Sequence, residues 1–144
     1  MSQSFYRLYY HIVWGTKYRE RTITPEIEKL LKEYIPKKIK ASGGTFMALN
    51  MTADHLHLLA SIPPKTSVAE FVHKIKGSSS HLINLNLERK TFYWQSGYGV
   101  LTLSEKGTPF VTGYIINQKQ KHANNDLINV LEYIPAEEDK PAQP

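Results

Sequence analysis

The spacing of apolar positions changes several times along this chain, and each change marks an element. Residues 5–14 bring Phe5, Tyr6, Tyr9, Tyr10, Ile12, Val13 and Trp14 together in an aromatic, β-branched run that predicts a first strand. Thr24-Pro25 pairs a hydroxyl cap with a proline where no N–H is needed, so it opens a helix. Ile27, Leu30, Leu31 and Tyr34 continue that helix at helical spacing. Pro36 is expected to kink it or end its regular part, and Gly43-Gly44 closes the segment. Residues 45–51 and 54–60 read as a second and third strand joined by a tight turn. After the Pro63-Pro64 break, Ser67-Val68-Ala69-Glu70 has the form of a capping box. It opens a second helix with Val68, Phe71, Val72 and Ile75 on its apolar side, running to about Leu87 with Gly77 as its weak point. Residues 98–103 alternate as a fourth strand. Thr108-Pro109 repeats the helix-start pair for a third helix, Phe110 to about His122, and a shorter helix carries Leu127, Val130, Leu131 and Tyr133.

The order β-α-β-β-α-β predicts an α+β fold. With right-handed crossovers it gives a ferredoxin-like antiparallel sheet, two helices on one face and strands one and three in the centre. The other face is left for the C-terminal helices or for a second subunit. Residues 1–134 are expected to form one domain, and 135–144 an acidic, Pro-rich tail that is expected to be disordered.

Composition narrows the class. With 144 residues and 41% hydrophobic side chains the chain can bury a core of its own, and it has no cysteine. Disulfides, thiolate zinc sites and cysteine nucleophiles are therefore excluded. No apolar run approaches the roughly 20 residues of a membrane-spanning helix, and the N-terminus lacks a secretion-signal layout. The cytosol is the expected location. The net charge is +5, and residues 1–134 carry 17 basic against 10 acidic side chains, +7. A basic body with an acidic end suits a polyanionic partner, although basic surfaces are also common on proteins without one.

The stretch Asp54-His55-Leu56-His57-Leu58-Leu59-Ala60 can carry chemistry. On a strand His55 and His57 share a face, about 7 Å apart along it, while Leu56, Leu58 and Ala60 point into the core. Two imidazoles on one face can grip one divalent metal, or can be two ordinary strand histidines. Tyr114 and Gln118 lie one helical turn apart and project from one face. A tyrosine beside a metal can attack a phosphodiester, and the Gln118 amide oxygen can complete the metal shell. The bland alternative is a core aromatic and a surface amide.

Five blocks, in this order, resemble a known family. They are Tyr10-His11-Ile12-Val13-Trp14 with Lys17-Tyr18-Arg19, then Asp54-His55-Leu56-His57-Leu58-Leu59, then Lys76-Gly77-Ser78-Ser79-Ser80. Trp94-Gln95-Ser96-Gly97-Tyr98-Gly99 and Tyr114-Ile115-Ile116-Asn117-Gln118 complete the set. From about Tyr9 to about His122 the chain resembles the single-tyrosine HUH transposases of small insertion sequences. The Gly-Tyr-Gly and Tyr-Ile-x-Asn-Gln blocks lean toward the REP-associated tyrosine transposases. The resemblance implies a magnesium- or manganese-dependent enzyme that cleaves and rejoins hairpin-containing single-stranded DNA. His55, His57 and Gln118 would be the metal ligands. Tyr114 would attack the scissile phosphate, leaving a 5′-phosphotyrosine and a free 3′-OH. The resemblance further implies an obligate homodimer, in which the tyrosine helix can dock in trans on the partner subunit, and work at the nucleoid. REP-associated relatives often carry two adjacent histidines after the glutamine. Here Lys121-His122-Ala123 has one, which places His122 with DNA-facing or structural residues.

Physical chemistry adds further expectations. Two neutral imidazoles and an amide leave the charge of the ion uncancelled, so a phosphodiester can complete the shell. Mg²⁺ prefers oxygen, so such a site is better suited to Mn²⁺ or a later metal. Asp54 is expected to orient one of the histidines. Lys17, Arg19 and Arg21 after the first strand, Lys74, Lys76, Ser78 and Ser79 in the second helix, and Lys119 and Lys121 beside the tyrosine are the candidate DNA contacts. Phe92, Tyr93 and Trp94 are either a stacking platform or buried, and His11, His73 and His81 are expected to be structural. Two other readings compete: a non-catalytic or domesticated DNA-hairpin-binding protein on the same fold, and a metal- or ligand-sensing dimer.

Overall fold

Two stretches with apolar residues at every second position build the middle of the sheet. They are β1, Tyr9–Gly15, and β3, His55–Ser61, which pair antiparallel along their whole lengths. Strand β2 (Thr45–Met51) flanks β3 and β4 (Gly99–Leu103) flanks β1, giving the order β2-β3-β1-β4 with every pairing antiparallel. That is the α+β, ferredoxin-like arrangement the element order predicts. The computed structural model describes residues 4–87 and 91–137.

The helices form where their caps lie. Thr24 Oγ1 accepts from Ile27 N at 3.2 Å and starts α1, Pro25–Ala41. Ser67 Oγ accepts from Glu70 N at 3.1 Å and starts α2, Val68–Asn86. Ile27, Leu31, Ile35 and Ile39 recur every fourth residue and are all buried. With Phe71, Val72, Ile75 and Ile83 of α2 they cover Ile12, Trp14, Leu56, Leu58 and Ala60, the core face of the central strands.

Two boundaries differ from the sequence expectation. The first strand begins at Tyr9 rather than Phe5, because Ser61 and Leu103, the last residues of its two neighbours, stand opposite Tyr9. Helix α1 runs through Pro36, since the buried stripe on either side outweighs the roughly 3 kcal/mol that an interior proline costs. Helix α2 keeps the expected extent and passes through Gly77, where an added Cβ would meet only open space.

The third difference shapes the site. The expected third helix is two helices, α3 (Thr108–Ile116) and α4 (Gln118–Ala123), broken at Asn117. Asn50 of β2 donates its side-chain amide to Ile116 O at 2.9 Å and so satisfies a carbonyl left open at the break. Lys119 Nζ then reaches Asn50 Oδ1 and Met51 O, each at 3.0 Å, and Glu28 Oε2 at 2.7 Å. A one-turn helix, α5 (Asn129–Glu132), follows. Val111, Tyr114, Ile115 and Leu131 pack on Ala48 and Leu59. The second sheet face is thus covered by this chain's own C-terminal helices.

Residues 135–137, assigned to the tail, touch the domain. Gln95 Nε2 donates to Pro135 O at 3.4 Å, and Tyr18 N donates to Glu137 Oε1 at 3.1 Å. The rest of the tail lies outside the described residues.

Candidate metal and nucleophile site

His55 and His57 point away from the α1–α2 core, toward α3–α5, as the alternation of β3 requires. Both are buried, at 2% and 0% exposure, with ring centroids 5.2 Å apart. Each ring is fixed through Nδ1. His55 Nδ1 lies 2.7 Å from Asp54 Oδ1 and 2.9 Å from Thr52 Oγ1. His57 Nδ1 lies 2.9 Å from His11 Nε2, on the neighbouring strand. In the tautomers that donate from Nδ1, both Nε2 lone pairs are free, which is how a carboxylate or carbonyl orients a ligating histidine.

The two Nε2 atoms face a common centre. Glu132 Oε1 lies 3.2 Å from His55 Nε2, 3.2 Å from His57 Nε2 and 3.1 Å from His122 Nε2. His122 Nε2 is itself 3.2 Å from His55 Nε2. One ligand atom from each of these four residues lies within 4.8 Å of all the others. The Gln118 amide sits beside them, its nitrogen 3.2 Å from His55 Nε2 and its oxygen buried with no hydrogen-bond partner. An amide is turned over by a half-rotation, so a Gln118 oxygen directed at the cluster is compatible with the same backbone. Three imidazole nitrogens, a carboxylate and an unpartnered amide oxygen fit a divalent cation.

Tyr114 is 3% exposed, and its hydroxyl donates to Glu132 Oε2 while accepting from Ile128 N at 3.2 Å. One carboxylate therefore joins the phenol to the paired imidazoles. Tyrosine and histidines meet within one chain.

The electrostatics follow from this packing. Burial disfavours charge on Glu132, but its bonds to His55 and His57 outweigh that and hold its pKa well below the usual carboxylate range. Asp54 is likewise depressed, the His55 bond and the Arg19 charge overcoming burial. Burial alone would lower His55, yet Asp54 and Glu132 raise it. Burial lowers His57 and His122 against the opposing pull of Glu132. His11 falls to about 3 through burial and the neighbouring His57. Burial, then the Glu132 bond, pushes Tyr114 up to about 12, so the phenol needs a positive charge or a base before it attacks.

Two residues of the cluster were not among the expected ligands. His122, placed with DNA-facing or structural residues, turns its ring toward the cluster, its Nε2 3.2 Å from His55 Nε2. Glu132 had a faint signal: it and Asp126 are the only acidic residues between 107 and 136. His11, expected to be structural, orients His57.

The candidate DNA contacts separate into two groups. Ser79 is fully buried, accepts from Trp94 Nε1 at 2.9 Å and donates to Lys76 O at 3.1 Å, so a DNA-facing place for it is corrected. Lys76 is committed to Gln95 O at 2.5 Å and Gly97 O at 2.9 Å, and burial draws its pKa down to about 8. Lys119 braces α4 as described, and Ser78 Oγ donates to Lys74 O at 2.7 Å. Arg19 Nη2 approaches Asp54 Oδ1 at 3.4 Å and His55 Nδ1 at 3.2 Å, at the rim of the cluster. Lys17, Arg21 and Lys74 are exposed, Lys74 pairing with Glu70 at 3.1 Å and Lys121 with Asp126 at 3.1 Å. Phe92 and Trp94 are buried edge to face, 4.8 Å apart, while Tyr93 is exposed.

Comparison with known proteins gives this sheet and its buried cluster a class, the DNA transposases. A family model described as "Transposase IS200 like" matches residues 4–118, most of the chain. The chain therefore belongs to the IS200-like transposase family. It is 30% identical over 122 residues to the ISDra2 transposase TnpA of Deinococcus radiodurans, covering 81% of this chain and 87% of the relative. It is 29% identical over 127 residues to the IS200 transposase of Salmonella typhimurium, covering 84% and 83%. A crystal structure of a candidate transposase from Deinococcus radiodurans R1 superposes with a TM-score of 0.64 at 27% identity, over 82% of this chain and 96% of the other. A REP-associated tyrosine transposase bound to a REP hairpin superposes with a TM-score of 0.63 at 17% identity, over 85% and 74%, a likeness of fold. No helix among the described residues is long and apolar enough to cross a membrane.

Proposed function

We propose that this transposase cleaves and rejoins hairpin-containing single-stranded DNA through a phosphotyrosine on Tyr114, with a divalent cation, Mg²⁺ or Mn²⁺, held by His55, His57 and Gln118. The observation that carries the reading is the single Glu132 carboxylate shared by the Tyr114 hydroxyl and both Nε2 atoms. It brings a nucleophile and two metal donors to one buried point.

In the reaction the Tyr114 oxygen forms a bond to the scissile phosphorus and the bond from phosphorus to the 3′ oxygen breaks. The phenol proton ends on that 3′ oxygen. The products are a 5′-phosphotyrosine and a free 3′-OH, and the reverse attack by a 3′-OH joins two ends without an outside energy source. When bound, the cation polarises the phosphate and lowers the charge the phenol oxygen must approach. The +7 body draws the polyanion to the site. The likeness to a hairpin-bound transposase supports a folded single strand as substrate. The homodimer belongs to the same reading. So do cytoplasmic work at the nucleoid and phosphate contacts from Lys17, Arg19, Arg21, Lys74 and Lys121.

The test is incubation with a single-stranded hairpin carrying the element's ends and either Mn²⁺ or Mg²⁺, resolved on a denaturing gel. A covalent protein–DNA adduct is expected, absent in Tyr114→Phe and in His57→Ala. Hairpin binding without an adduct under both metals overturns the enzyme in favour of a non-catalytic hairpin-binding protein.

A further inference from the structure

We propose that Glu132 is a bridging carboxylate, with Oε1 a ligand of the cation shared with His55, His57 and His122, and Oε2 the acceptor that positions the Tyr114 hydroxyl. The inference rests on the metal site proposed above and extends it to a residue outside the histidine pair and the tyrosine helix.

The distances carry the assignment. Nitrogen and oxygen donors bind such ions at about 2.0–2.2 Å, so neighbours on one coordination shell stand about 3–3.5 Å apart. Glu132 Oε1 lies at 3.2, 3.2 and 3.1 Å from the three imidazole nitrogens, and two of those nitrogens lie 3.2 Å from each other. These spacings suit fellow ligands of one ion, and all four donor atoms lie within 4.8 Å of one another. The Glu132 side chain is 15% exposed, so it is largely withdrawn from solvent where it meets the imidazoles.

The second oxygen gives the bridge its purpose. Tyr114 OH has two partners, Glu132 Oε2 and Ile128 N, both from the segment that ends in α5. Leu131 of that helix is buried against the α3 cluster and fixes the segment. Occupancy of the metal site and placement of the nucleophile are thereby tied through one side chain. The donor set also states a preference. Three imidazoles with one carboxylate favour Mn²⁺, Co²⁺ or Zn²⁺ over Mg²⁺, which takes oxygen ligands. One carboxylate leaves the ion with a net positive charge, which a phosphodiester oxygen can meet.

The test measures metal binding in the full chain without DNA. Free Mn²⁺ is followed by its paramagnetic resonance signal, and bound Co²⁺ by its visible absorption. Glu132→Ala and Glu132→Gln are expected to weaken Mn²⁺ by at least about 10–100-fold and to change the Co²⁺ bands, with Glu132→Asp recovering part of the affinity. Glu132→Gln, nearly the same shape, serves if the alanine variant does not fold. In hairpin cleavage, Glu132→Gln is expected to lower kcat with the hairpin Kd unchanged. Mn²⁺ affinity in Glu132→Gln equal to or tighter than that of the natural protein overturns the bridge. If His55→Ala and His57→Ala also leave Mn²⁺ binding intact, the metal site proposed above falls with it. If they abolish binding while Glu132→Gln does not, the bridge alone falls.

Discussion

A strand histidine can act as a ligand once its other nitrogen is committed, and Asp54 and His11 do this for His55 and His57. Asp54→Ala is therefore expected to weaken Mn²⁺ binding by about 10–100-fold, measured on the metal alone, while leaving the fold intact. Tyr114 gives a second prediction, for the metal-free protein. Its folded pKa, about 12, lies above the value of about 10 in an unfolded chain. The folded form thus holds its proton where the unfolded form loses it. The stability this provides is complete below pH 10 and is lost as pH rises from about 10 to about 12. Denaturant midpoints across that window should fall more steeply in the natural protein than in Tyr114→Phe. At this scale the shared face of His55 and His57 was legible, because a period of two places side chains on known faces. Tyr114 and Gln118 were expected one turn apart on one helix, and the break at Asn117 puts them on α3 and α4. Glu132 and His122 were not legible, because no local period connects α5 or the end of α4 to β3.

The elements were legible wherever a cap or a turn opens them. Thr24-Pro25, Ser67 and Thr108-Pro109 all mark starts near those observed. The break between α3 and α4 was not legible, since the group that stabilises it, Asn50, is 66 residues away in sequence from Ile116. Neither was the duty of Ser79, whose hydroxyl holds Trp94 Nε1. Ser79→Ala leaves a buried indole N–H without a partner. It is expected to cost about 1–3 kcal/mol in denaturant unfolding while hairpin affinity is unchanged. Gly99 belongs here too. A Cβ there would lie 2.3 Å from Tyr133 O and 3.0 Å from Val13 Cγ1, so β4 accepts the chain leaving α5 only as glycine. Gly99→Ala should displace that chain and, with it, Glu132. Weakened Mn²⁺ binding by a residue that touches no ligand would be the readout.

For the whole molecule, charge decides association and packing decides which charges are available. Lys119 is bonded to Glu28, Asn50 and Met51, whereas Lys17 and Arg21 stand exposed after β1. Replacing Lys17 or Arg21 by alanine should flatten the slope of log Kd against log salt by about 0.7–1 each in hairpin titrations. Lys119→Ala should leave that slope nearly unchanged and lower the Tm instead. A change in slope as large as that of Lys17→Ala would show Lys119 on phosphate. The basic body was readable by counting residues. Which lysines are already spent was not, because their partners come from other elements.

By itself the sequence determined the order of the elements, the buried face of each and the pair of imidazoles on one side of β3. These follow from short periods and caps, which act over a few residues. Only the tertiary structure decided that the second sheet face is closed by this chain's own helices, and that Glu132 and His122 join the imidazoles beneath Tyr114. Such meetings depend on how packed layers superpose residues far apart in the chain, and no local spacing encodes that.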